Sequence, residues 1–366
     1  MNGIRMRRAG SKTRRSAGFS LIETLIALAL GLIVVAGLIQ VLLANRKAYQ
    51  LQQGSNLLQQ NVRFAFDRMG WSLRMADFWG GNKAGIITGS PTVTPRGNCT
   101  QAWVLDTRNA VYGYEGGTTF PISGCVDTAD YVKGSDVLVT RYVAADGIDP
   151  AAASTISGAP KQVYLVSAIG QQAALFRGSD TVPTTPPASA IGRYVYPYHL
   201  DMYYLRPCSD PSGGTVVTHC DANDDNGAPI PTLMRLRLSS NGDLLDEPLV
   251  EGIEQLQFRY GITGTDLHNI VPTAYEDAST ISADEWLRVI SVQIGLVGLS
   301  QHRDIALPHT GTFTAGNCTY VINDGSTTTT GCAGFAVAGS QPWQFARTSL
   351  GQVVQVRNRI RMLIAQ

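Results

Sequence analysis

The chain opens its hydrophobic pattern with a long unbroken block. From Phe19 to Ala44 there are 26 residues and one ionisable side chain, Glu23. At about 1.5 Å rise per residue this run reaches about 39 Å as a helix, enough to cross the hydrocarbon core of a bilayer. The pattern then becomes one-sided. Leu51, Leu58, Val62, Ala65, Met69, Leu73 and Ala76 recur at helical spacing, which makes a single amphipathic stripe. Gln50, Gln52, Gln53, Gln59, Gln60 and Arg63 fill much of the remaining surface, and Gly80-Gly81-Asn82 ends the pattern. Gly54-Ser55 would permit two helices, but the stripe keeps phase across them. One helix of roughly 87 Å from Phe19 to about Ala76 is therefore expected.

After residue 80 the period changes. Short apolar runs alternate with loops rich in Gly, Pro, Thr, Asn and Asp. Strands are expected at Ala102–Asp106, Asp136–Val143, Gln162–Ala168, Arg193–Leu205, Leu233–Leu238, Ile253–Tyr260, Leu287–Leu299 and Val353–Ile364. In the last, Val354, Val356, Ile360, Met362 and Ile364 alternate with Gln355, Arg357, Arg359 and Arg361, which reads as a strand with a solvated arginine row. Leu287–Leu299 is apolar on both faces, as a central strand would be. In "VEGIEQLQF", Ile253, Leu256 and Phe258 read as core and Glu251 and Glu254 as surface. The aromatic "RYVYPYHLDMYYL" reads as a strand packed in a sheet rather than as a base-stacking or adhesive surface.

Charge changes the reading of the apolar block. Residues 1–18 carry six basic side chains and no acid, and the remainder has a net charge of −5. Basic residues before an apolar span keep the N-terminus cytoplasmic and send the chain beyond the span to the other side. An acidic exported part argues against nucleic acid as a partner. An ordinary cleaved signal has an apolar stretch of about 7–15 residues, shorter than this one. Glu23 is the awkward residue: a carboxylate in a membrane span costs a few kcal/mol and is usually functional. The block holds no Lys, Arg or His to pair with it. A cut between Gly18 and Phe19 would create an α-amine that could, in the same chain or a neighbour packed alongside, and such a pair is suited to setting register between subunits.

The stretch Gly18-Phe19-Ser20-Leu21-Ile22-Glu23-Thr24-Leu25, with its basic leader, resembles the N-terminal signal of type IV pilins and type II secretion pseudopilins. The resemblance implies cleavage after Gly18 by a prepilin peptidase, methylation of Phe19, and an assembly role for Glu23. "LVEGIEQLQFRYGI" (Leu249 to Ile262), "WLRVISVQIGLVGLS" (Trp286 to Ser300) and "VRNRIR" (Val356 to Arg361) resemble the PilW group of minor pilins. The J-type pseudopilin of type II secretion carries a similar "GIExLxFRY" segment. Together they imply an α+β pilin-like fold: a long N-terminal helix, transmembrane in its first half, on an antiparallel β-sheet head. The implied layout is a leader at 1–18, a transmembrane helix at 19–44, its amphipathic continuation at 45–80, and a periplasmic head at 81–366. The implied partners are other minor and major pilins, the prepilin peptidase and the inner-membrane assembly platform. The implied location is the inner membrane, single-pass, and then the pilus, at its tip. The implied role is to initiate or cap a pilus that serves twitching motility and adhesion. The alternatives are a J-type pseudopilin acting in protein export and, in a different class, an uncleaved membrane-anchored binding domain.

Six cysteines, Cys99, Cys125, Cys208, Cys220, Cys318 and Cys332, all lie beyond the apolar block in loop-like surroundings. Exported chains use such cysteines as disulfides. Sequential pairing, which closes three short loops, is the expected choice among 15. A zinc site is not expected, since there is no CxxC and only His219 adjoins a cysteine. "DANDDNG" sets Asp221, Asn223 and Asp225 at alternate positions, a spacing that suits calcium. It departs from the EF-hand loop at Asn226 and Thr232, so a polar turn is the preferred reading. The five histidines are scattered, and no GxSxG, HExxH, P-loop or dinucleotide fingerprint occurs. No enzyme and no cofactor is expected.

Overall fold

A computed structural model describes residue 18 and residues 20–151, 156–213, 215, 216, 218–266, 270–304 and 308–364 of the 366-residue chain. Helix α1, Leu21–Met75, is continuous through Gly54-Ser55. The chain divides into two compact units, one ending at Gln53 and one beginning at Gly54, described in turn.

In the first unit the apolar side chains of α1 are exposed along the whole run, from Leu21 at 81% to Leu43 at 59%. Among the described residues this is one helix long and apolar enough to cross a membrane.

The second unit is a β-rich head with the C-terminal half of α1 in its core, an α+β architecture. The large sheet contains β1 (Ile87–Thr88), β2 (Val111–Tyr114), β3 (Val137–Val143), β4 (Val163–Ser167), β5 (Ala173–Arg177), β6 (Tyr194–Arg206), β7 (Thr232–Leu238) and β8 (Leu244–Glu251). All its pairs are antiparallel except β1–β5. Strand β6 organises it, pairing with β4 through Tyr194–Pro197 and with β3 and β7 through its C-terminal half. Its Tyr198, Tyr203 and Tyr204 are buried. Tyr198 stacks on Trp79 and donates its hydroxyl proton to the Val104 carbonyl at 2.6 Å. Apart from exposed Tyr194 and half-buried Tyr196, the aromatic run is core.

A second sheet holds β9 (Ile253–Thr263), β10 (Pro272–Asp277) and β11 (Val289–Leu299). Next in the chain is a three-stranded sheet of β12 (Gly311–Ala315), β13 (Cys318–Asn323) and β14 (Ser326–Thr330). Then β15 (Arg347–Gln355) returns to complete the second sheet in the order β10-β9-β11-β15. Central strand β11 is buried on both faces, as its double-sided apolar pattern requires. On one face Gly298 lies under α1: a Cβ there would come within 2.7 Å of Leu58 Cδ1 and Val62 Cγ2. On the other face Gly295 lies against Ala315 and Gly316. Glycine at these two positions lets a helix and a second sheet close onto one strand.

The helical stripe from Leu58 to Ala76 is buried in this core with Leu256, Phe258, Val292, Ile294, Leu296 and Val354. The Leu51 side chain lies outside the described residues. Leu58, Val62, Ala65, Met69, Leu73 and Ala76 are each 6% exposed or less. Burying such side chains contributes about 1.5–3 kcal/mol for each large one.

Three sequence expectations are corrected. Ala102–Asp106 is not a strand; Gln101–Val104 is a helical turn whose Thr100 hydroxyl accepts from Trp103 N at 3.3 Å, and an N-cap of this kind turns the chain out of the extended state. Val353–Ile364 is not one strand. β15 ends at Gln355, and Arg357–Ile364 is a helix with Val356 and Arg359 both buried. A spacing of three suits that helix, whereas alternation would separate the two onto opposite faces. Glu254 is a core residue rather than a surface one, at 1% exposure. Strands β1, β2, β5, β8, β10 and β12–β14 are not among the expected ones because they are short or polar; β14 is exposed throughout.

Candidate assembly site and the head behind it

Of the sequence-predicted processing residues, Gly18 is exposed and Phe19 lies outside the described residues. Glu23 stands in the first turn of α1. Its backbone N–H donates to the Ser20 carbonyl at 3.1 Å and to Ser20 Oγ at 3.3 Å. Ser20-Leu21-Ile22-Glu23 thus matches the S-x-x-E capping sequence, a local signal that sequence reading passed over. A carboxylate there is favoured by the positive end of the helix dipole. Thr24 Oγ1 donates to the Leu21 carbonyl at 2.9 Å. The capping arrangement accounts for a helix that starts here. It leaves open what a carboxylate does among side chains as exposed as Ile22 (66%) and Leu25 (59%).

The other end of α1 is closed by the C-terminal "VRNRIR" segment. Asn358 Nδ2 lies at 3.1, 3.2 and 3.1 Å from the carbonyls of Arg74, Met75 and Ala76. Those are the last carbonyls of a helix, which have no partner inside it. Asp77, next in the chain, takes the left-handed conformation at φ 64°, an uncommon state for a residue other than glycine. Its carboxylate accepts from Trp79 Nε1 at 2.8 Å and from Arg359 Nε. Arg359 also donates to the Trp286 carbonyl at 3.1 Å. Arg357 and Arg361 are exposed. So the arginine row divides: two solvated residues flank one that locks the helix end to the second sheet.

The "GIEQLQF" motif carries a second lock. Glu254 accepts from Arg347 Nε at 2.5 Å and Nη2 at 2.9 Å, from Tyr320 OH at 2.7 Å and from Ala338 N at 2.9 Å. Arg347 donates further to the carbonyls of Pro342 and Phe345 at 2.5 and 3.1 Å. Both side chains are essentially dry, at 0% and 1%. A bidentate, fully hydrogen-bonded pair is the arrangement in which a buried charge is tolerated. It joins β9, β13 and β15.

A third network ties α1 to the large sheet. Ser72 Oγ and Tyr142 OH donate to Asp201 Oδ2 at 2.9 and 2.8 Å, and Ser72 Oγ meets Tyr203 OH at 2.6 Å. Arg235 lies 3.7 Å from Asp201 and pairs with Glu247 at 2.5 Å. Burial, with the Asp201 charge beside it, drives the Tyr142 hydroxyl far above its ordinary range. His199 stacks on Tyr142 at 5.3 Å. Burial pushes its imidazole pKa below 6.5; Asp201 opposes this and Arg235 and Arg237 reinforce it. These groups hold one another and fasten α1 to β3, β6 and β7.

The cysteines pair sequentially, as Cys99–Cys125, Cys208–Cys220 and Cys318–Cys332. The acidic loop is committed to its own backbone. Asp221 accepts from Thr215 N and Oγ1 and from Asn223 N, and Thr215 holds its carboxyl down to about 2. Asp225 accepts from Ser209 N and Oγ and from Ile230 N. The Asn223 backbone N–H donates to Asp221, and the carboxylates of Asp221 and Asp225 brace the loop on either side of Cys220. Asp224 lies near Cys208 and Cys220, but those sulfurs are joined to each other and offer no thiolate. His219 pairs with Asp130 at 2.8 Å. His268 lies outside the described residues.

Comparison with known proteins adds two matches. Residues 13–39 match the family described as prokaryotic N-terminal methylation motif, and residues 218–358 match the family described as type IV pilus-assembly protein W. No curated protein and no solved structure matches the chain. The second match runs from the disulfide-bound acidic loop to Asn358, the residue that closes α1, and includes Glu254 and Arg347. A methylation motif at one end and a PilW match over the C-terminal part, in a chain built of one long helix and a β-rich head, match a type IV minor pilin with a prepilin signal.

Proposed function

We propose that this protein is a minor subunit that starts or caps a type IV pilus, held first in the inner membrane with its head in the periplasm. In this reading prepilin peptidase cuts after Gly18 and methylates the new amine of Phe19, and Glu23 pairs with such an amine in a neighbouring subunit. The apolar half of α1 then passes from lipid into the filament core, and the head takes its place at the tip, in support of adhesion and twitching motility. The observation that carries the reading is the pairing, in one chain, of the methylation motif at 13–39 with the PilW segment at 218–358. The exposed helix supports it: side chains from Leu21 to Leu43 find no cover within their own unit, and a surface of that kind needs lipid or other subunits.

Mass spectrometry of the exported protein tests the processing step; the expected mass begins at a methylated Phe19, and an intact leader rejects the proposal. Glu23→Val tests assembly. The expected result is an unchanged head with pilus incorporation and twitching sharply reduced; normal incorporation removes Glu23 from the mechanism.

A further inference from the structure

Strand β14 is an unguarded edge. It ends the three-stranded sheet β12-β13-β14 and pairs in regular register with β13, from Thr319↔Thr330 to Asn323↔Ser326. Its sequence, Ser-Thr-Thr-Thr-Thr, has no charge and no proline, and every residue is exposed. Native edges are normally blunted by Lys, Pro, bulges or a covering element. Threonine, by contrast, favours strand pairing.

A slot of about 500 Å³ lies beside this edge. Ser326, Thr327 and Thr329 line it from the strand, and Phe335, Val337 and Trp343 line it from the segment C-terminal to the strand. Among the described residues none that lines it is ionisable, and none is Asn or Gln. The floor is fixed in advance. The Cys318–Cys332 disulfide ties β13 to the segment after β14, and Phe335 packs on Tyr320 with ring centroids 5.2 Å apart. A second groove of about 590 Å³ continues it, sharing Phe335, Ala336 and Gly339.

We infer that β14 and this slot receive an extended, uncharged segment of another polypeptide chain, added as a fourth strand with apolar side chains at alternate positions entering the slot. The chemistry selects that occupant. An open strand edge offers backbone N–H and C=O groups at strand spacing, which another extended backbone matches. Alternate side chains of an added strand point to one face, where Phe335, Val337 and Trp343 offer apolar contact beside the hydroxyls of Ser326, Thr327, Thr329 and Ser340. A glycan would find only the hydroxyls of Ser326, Thr327, Thr329 and Ser340 in the slot, with no carboxylate or amide side chain beside them, whereas the strand edge adds a row of backbone groups for a peptide. A preformed slot lowers the ordering cost of binding. Binding at β14 is independent of cleavage at Gly18 and of Glu23.

The test is hydrogen exchange of the full-length protein in detergent micelles with three probes. One is a capped alternating Thr/Val hexapeptide, the second is the same peptide with proline at its central positions, and the third is cellohexaose. With the Thr/Val peptide at about ten times its Kd, exchange of the β14 amides that point away from β13 should slow about tenfold. The other two probes should leave it unchanged. Thr329→Lys should abolish the protection and Thr329→Val should keep it, with unchanged exchange at β9 and β11 showing that each variant is folded. Protection of β14 by cellohexaose or by the proline peptide, or none by the Thr/Val peptide at millimolar concentration, overturns the inference.

Discussion

The two halves of α1 both carry apolar side chains, densely in the first and as one stripe in the second, and those side chains meet opposite fates. Leu21 to Leu43 are half to four-fifths exposed, whereas Leu58, Val62, Met69 and Leu73 are closed under β-strands. The difference lies in what surrounds the apolar positions. In the first half they run all the way round the helix, and no single face of a small head could cover them. In the second half they form one stripe between glutamines and arginines, which one sheet can cover. So the same helix is an exposed apolar rod at one end and part of a folded core at the other.

Perturbing the head should separate its stability from assembly, and the effects rank by burial. Largest is the buried ion pair: Glu254→Ala strands the Arg347 charge and should cost about 3–5 kcal/mol of head stability, read as a fall in the denaturant midpoint. Next come matched truncations on α1. Met69→Ala should cost about 2–5 kcal/mol through lost burial and the cavity left behind. Leu32→Ala, in the exposed half, should leave head unfolding unchanged; an equal loss would erase the contrast between the halves. Asn358→Ala should cost about 0.5–1.5 kcal/mol by uncapping α1, with faster amide exchange localised to the last helical turn.

The smallest effect is on pH. The His199 pKa is lowered in the folded state by burial, so the unfolded chain binds the proton more readily. Its stabilising contribution is full above about pH 6.5 and is lost as pH falls from there through the folded value. His199→Gln should flatten that acid limb of the stability curve, and an unchanged limb would shift the dependence to another group.

Much of the first half was legible locally. The apolar run, the lone carboxylate, the glycine before phenylalanine and the basic leader are all contiguous, and none needs a fold to be recognised. The stripe in the second half was legible because helical period alone defines it. The double-sided apolar pattern of β11 likewise announced a central strand. The arginine row misled because alternation and helical spacing coincide over short stretches, and Asp77, 282 residues away from Arg359, decides between them. Glu254 misled for a related reason: a glutamate defaults to the surface unless a partner such as Arg347 is known, and only the β9–β11–β15 sheet brings that partner close. The acidic loop looked like ligands because its carboxylates alternate; in the fold they accept hydrogen bonds from neighbouring backbone N–H groups instead.

By itself the sequence determined the export signal, the helix and its two characters, the α+β class and the absence of familiar catalytic motifs, because each is written in adjacent residues or in a simple period. Tertiary structure alone decided which charged residues are buried, what closes the end of α1, and which strand is left with an open edge. Those outcomes depend on pairs of groups far apart in the chain, whose cost or benefit exists only once folding has removed the water between them.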